Sequence, residues 1–118
     1  MSNNFTSSYI HPVELEFTKD RLREVNSLAD KAILLPPHLI GLGLEKSMFS
    51  ILLETFEKLR KAEVSRIVSP PKKEKFKLKL KPHQAYFLEV HIRNYCNKYT
   101  NYNSYLHNIA DQINQKLA

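Results

Sequence analysis

The chain has 118 residues and a formal net charge of +6, with 42% hydrophobic and 25% charged residues. That is the composition of one globular domain and not of a disordered chain. A single cysteine, two glycines and no apolar run near the roughly 18–20 residues of a bilayer span argue against a disulfide scaffold, a glycine-rich phosphate loop and a membrane helix.

Residues 1–9 are small and polar and predict a flexible tail ahead of a single helix-rich domain over 10–118. The first six residues hold neither a basic nor an apolar stretch, so no secretory signal is expected. The lone Cys96 fits a reducing, cytoplasmic setting. Val13, Leu15 and Phe17 alternate with Glu14 and Glu16, which is the period of a half-buried strand, and Pro12 suits its start. Leu22, Val25, Leu28, Ala29, Ala32 and Ile33 then recur at helical spacing. They predict a helix over 18–34, with Thr18 as N-cap and Asp20 in the first turn. Pro36 and Pro37 stop it, and residues 36–43 form a connector.

A second helix is expected over 44–67. Its apolar residues from Met48 to Phe56 surround most of the circumference, the mark of a helix central in the fold or placed at an oligomer interface. Phe49 and Leu53 are its candidate interface residues. The sequence KFKLKLK over 75–81 alternates without a break, so a strand is expected there with four lysines on one side. Pro82 ends it. A helix over 83–99 should bury Leu88, Ile92, Tyr95, Cys96 and Tyr99, and a last one over 103–116 should bury Leu106, Ile109, Ile113 and Leu117. The expected class is therefore α+β and predominantly helical, with about four helices and a two-stranded sheet.

The two strands should pair, because a lone strand leaves its backbone groups without partners. Pairing sets Val13, Leu15 and Phe17 beside Phe76, Leu78 and Leu80, and Glu14 and Glu16 beside Lys77 and Lys79. Opposite charges facing each other across strands contribute roughly 0.2–1 kcal/mol per pair.

Charge is concentrated in one band. Residues 58–81 hold ten cations and two acids, which leaves the remaining 94 residues at −2. Lys72, Lys73, Lys75, Lys77, Lys79 and Lys81, with Arg60, Lys61 and Arg66 upstream, are the candidate phosphate contacts. The competing reading is a charged edge that protects a strand from aggregation. Tyr86, Tyr95, Tyr99, Tyr102 and Tyr105 cluster near Arg93 and Lys98, and Tyr102 and Tyr105 are candidate interface residues.

Signals for catalysis are weak. Gly41 to Ser47 shares only its Lys-Ser ending with a phosphate-binding loop, and Glu45 stands where that loop needs glycine. His11, His38, His83, His91 and His107 show no metal-ligand spacing, so no metal or other cofactor is expected. Cys96 lies on a helix's inner stripe and reads as a small buried hydrophobe. The sequence thus predicts a non-enzymatic protein that associates with nucleic acid through sequence-independent phosphate contacts. The alternative is an interaction or assembly subunit, partnered by another protein or by its own copy.

Overall fold

A computed structural model of the chain describes residues 11–31, 45–70, 72–98 and 104–118. Strand β1 (Val13–Thr18) leads directly into helix α1 (Lys19–Asn26), which continues as a 3-10 turn (Ser27–Asp30). The long helix α2 (Glu45–Val68), strand β2 (Lys75–Leu80) and helices α3 (Pro82–Lys98) and α4 (Ser104–Leu117) follow. The expected tail, the connector and Tyr102 lie outside the described residues.

The strands pair antiparallel, with Val13 opposite Leu80, Leu15 opposite Leu78 and Phe17 opposite Phe76. Glu14 faces Lys79 and Glu16 faces Lys77, as the matched charges predict. Val13, Leu15, Phe17 and Leu80 are buried, while Phe76 and Leu78 are only partly covered. Helices α1 and α4 pack on β1, and β2 lies at the margin of the molecule.

The free side of β1 is closed by a side chain. Gln112 of α4 accepts from the Glu16 N–H through Oε1 at 3.0 Å and donates Nε2 to the Glu16 carbonyl at 3.4 Å. A glutamine amide thereby does what a third strand would do for that residue. Asn108, which also accepts from Gln112 Nε2 at 2.9 Å, holds the amide in place.

Helix boundaries follow local chemistry. Thr18 caps α1 by accepting from the Arg21 N–H at 3.2 Å, as its position predicts. The periodicity through Ile33 predicts one continuous helix, but the α-helix ends at Asn26 and a tighter turn carries Leu28 into the core. Ser27 Oγ donates back to the Glu24 carbonyl at 2.6 Å where the change occurs. At the other corner, Pro82 opens α3 and Gln84 accepts from the Lys81 N–H at 2.9 Å. This is the reciprocal half of a capping box. The same Gln84 donates to Glu54 of α2 at 2.8 Å.

Leu22, Val25, Leu28, Met48, Leu52, Leu59, Leu88, Ile92, Leu106, Ile109 and Ile113 complete the core. Full burial of each such side chain stabilises by about 1.5–3 kcal/mol. Of the two placements expected for the long helix, full enclosure in the fold is not what is found. Helix α2 is not enclosed on all sides: Met48, Leu52, Thr55, Phe56 and Leu59 face inward, while Phe49, Leu53, Val64, Ile67 and Val68 are exposed. Only α1 and α3 pack on it extensively, so its outer half meets no other described element extensively.

Candidate interaction surfaces

Alternation puts Lys75, Lys77 and Lys79 on the wet side of the sheet, all exposed. Lys75 Nζ lies 3.9 Å from a Glu16 carboxylate oxygen, and Lys77 Nζ lies 3.5 Å from one of Glu14. Both pairs are open to water, so they are worth little energetically. They do lower the charge presented. Lys72, Lys73, Lys79 and Lys81 are exposed and have no carboxylate within ion-pair distance among the described residues.

The three upstream cations do not join this ridge. The Arg66 guanidinium stacks over the Phe76 ring at 4.4 Å, on the sheet's apolar side and opposite the lysines. Phe76 in turn stacks on Phe17 at 6.5 Å. Arg66 Nε is buried there with no hydrogen-bond partner among the described residues. Arg60 and Lys61 line a groove instead, and Lys61 pairs with Glu57 at 3.2 Å. The nine candidate phosphate contacts therefore divide between three places.

The groove runs between the 3-10 turn and α2. It has a volume of about 800 Å³ and is lined by Ala29, Leu53, Phe56, Arg60, Lys61 and Val64. A smaller hollow beside it is lined by Phe49, Leu52, Leu53 and Phe56, with His91. Residues 49, 53, 56, 60, 64 and 67 advance by four and three, so they form one stripe along a single side of α2. That spacing was available in the sequence but hidden by the equally apolar residues around it. Phe49 and Leu53, the candidate interface residues of this helix, lie on this stripe and are exposed. Tyr105 lies elsewhere, on α4, partly exposed beneath the Arg21 guanidinium at 5.6 Å.

Among the described residues, no group of three His, Cys, Asp or Glu side chains could hold a metal ion. His91 is buried and its Nε2 lies 3.1 Å from the Leu28 carbonyl. A carbonyl only accepts, so Nε2 carries the hydrogen. Burial pushes the His91 pKa down from its usual value, against the opposing pull of that carbonyl. The Cys96 thiol is pushed up by burial, with Arg93 opposing, and so is held away from the reactive thiolate. Arg93 joins Glu89 at 2.9 Å and Asp111 at 3.1 Å, tying α3 to α4.

Compared with known proteins, the chain matches no family model, and no curated protein or solved structure resembles it closely enough to count as a match. No helix among the described residues is long and apolar enough to cross a membrane.

Proposed function

We propose that the protein is a non-enzymatic assembly subunit that pairs with a second copy of itself through α2. The observation that carries this reading is the stripe of Phe49, Leu53, Val64, Ile67 and Val68, each more than half exposed. It extends over about 28 Å of one helix. Its residues fall in two groups, Phe49 with Leu53 and Val64 with Ile67 and Val68, about 16 Å apart along the helix with Arg60 between them. Scattered exposed apolar residues are ordinary, but grouped ones on one side of a helix mark an interaction surface. The charge order of the same helix names the occupant. Ahead of Lys58, α2 carries three glutamates against one lysine; from Lys58 onward it carries four cations against Glu63. Antiparallel pairing sets each acidic half against a cationic half, while parallel pairing opposes like charges. With Leu53 facing the partner's Val64, Glu57 faces the partner's Arg60 and Phe49 faces the partner's Val68.

Each half-exposed side chain contributes about 1 kcal/mol on burial. Ten of them in a symmetric pair are set against an association cost of roughly 4–15 kcal/mol. The expected dimer is therefore weak, with a dissociation constant of tens of micromolar at the favourable end of that range, or about −6 kcal/mol. Analytical ultracentrifugation over a concentration series tests it. Leu53→Glu should abolish the dimer and leave helicity unchanged, because Leu53 is exposed in the monomer. A chain that stays monomeric at millimolar concentration, with Leu53 protected from solvent, would refute the reading and assign the stripe to the chain's own residues 32–44.

A second reading draws on Lys72, Lys73, Lys79 and Lys81, which have no carboxylate partner among the described residues. They suit sequence-independent contact with nucleic-acid phosphates, with micromolar binding that weakens steeply as salt rises. Fluorescence anisotropy with single- and double-stranded oligonucleotides at low and high salt measures it. The absence of any binding at low salt removes this reading and leaves the α2 pairing untouched.

A further inference from the structure

We infer that the outer edge of β2 is a docking site for an extended peptide segment in which acidic and apolar residues alternate. Ladder geometry fixes which backbone groups are free. In an antiparallel pair, opposed residues alternate between exchanging hydrogen bonds and pointing those groups away from each other. The Glu16 N–H and C=O go to Gln112, away from β2, so Glu16 and Lys77 form an outward-pointing pair. Two-residue periodicity makes Glu14–Lys79 and Thr18–Lys75 outward-pointing as well. The N–H and C=O of Lys75, Lys77 and Lys79 therefore face the open edge. None of them has a hydrogen-bond partner among the described residues.

The two edges of the sheet are treated differently. On β1 the edge is clamped by Gln112 and packed by α4. On β2, no described element other than β1 packs extensively on the strand. The side chains beside that open edge specify the occupant. On one side stand three exposed lysines. On the other stand Phe76, with the Arg66 guanidinium over its ring, and Leu78, both only partly buried. A strand docking about 4.8 Å from β2 would set its alternate residues against these two rows. Acids meet the lysines, and apolar side chains cover Phe76 and Leu78. The chain already holds a segment of this kind on the opposite edge of β2, namely β1 itself, with Val-Glu-Leu-Glu-Phe facing those same two rows.

Two other occupants fit less well. A second β2 would bring lysines against lysines, the arrangement by which edge strands avoid self-pairing. A phosphate backbone would satisfy the lysines but leave the apolar row and the outward carbonyls unmatched. The inference does not rest on the α2 stripe, which belongs to a separate surface.

The probe is a capped, labelled peptide with the β1 sequence VELEFT, titrated into the full chain while amide exchange is followed by NMR. Binding should slow exchange at the Lys75, Lys77 and Lys79 amides, which point away from β1. A peptide with lysines in place of its glutamates should not bind. Lys77→Gln removes one charge and should weaken binding about two- to fivefold. Lys77→Pro also removes an outward N–H that the β1–β2 ladder does not use, and should weaken it by at least about tenfold. Retained protection of the Phe76 and Leu78 amides reports that this variant is folded, and amide protection in the unaltered chain tests the site without any variant. Equal loss in Lys77→Gln and Lys77→Pro overturns the inference, as does peptide binding without protection of the three amides. Oligonucleotide binding that the two variants weaken alike, with the peptide inert, would assign the lysines to phosphate.

Discussion

Gln112→Met gives the sharpest test of how the sheet is held. Methionine matches glutamine in length and flexibility, so the substitution removes hydrogen bonds while keeping volume. Three contacts disappear: the 3.0 Å bond from the Glu16 N–H, the 3.4 Å bond to the Glu16 carbonyl and the 2.9 Å bond to Asn108. The first is well formed and worth about 0.5–1.5 kcal/mol net. The second is long, and the third is exposed, so together they add less than the first. Because the Glu16 backbone is only partly buried, water recovers some of the loss. The expected destabilisation is about 1–2 kcal/mol, or a midpoint fall of roughly 4–8 °C for a chain of this size. Thermal and urea unfolding followed by far-ultraviolet circular dichroism measure it. Exchange at the Glu16 amide supplies a local readout and should speed up more than at Leu15, whose amide faces β2. A variant within about 0.3 kcal/mol of the parent, with Glu16 exchange unchanged, would show that the glutamine does not substitute for a strand.

Two further outcomes follow from single side chains. His91 has a lowered folded pKa, so at falling pH the unfolded chain takes up its proton first. Its contribution to stability is therefore complete above about pH 6.5 and is lost as pH falls below that value, until the folded form protonates too. Urea midpoints at pH 7.5 and 5.5 should differ less in His91→Gln than in the parent; an equal difference would remove His91 as the cause. Thr18→Ala should cost about 1 kcal/mol through loss of the α1 cap, read as a shift in urea midpoint, and Thr18→Asp should restore most of it.

The sheet was readable in advance because period-two alternation over five and seven residues outweighs the competing reading of residues 13–17 as the opening turn of the helix that follows, and because glutamates on one strand matched lysines on the other. Helix α2 was readable as a helix, but which of its sides is buried was not. Phe49 and Leu53 are as apolar as Met48 and Leu52, and only the placement of α1 and α3 decides which pair is buried. Thr55 shows the converse: it is polar, fully buried, and satisfied by donating to the Ile51 carbonyl at 2.7 Å. The role of Gln112 leaves no local signal in the sequence, since its partner lies 96 residues away. Arg66 read as a free cation because composition counts charge and not the flat guanidinium that stacks on Phe76.

The corner between β2 and α3 has a consequence for the whole molecule. A single residue, Lys81, separates strand from helix, and Gln84 grips its amide with one end while reaching Glu54 with the other. Such a joint has no slack. The strand margin and the long helix behave as two jaws cast in one piece, so cargo gripped by one would keep a constant bearing to whatever sits on the other. An assembly built from such subunits would inherit its spacing from this joint, not from a tether.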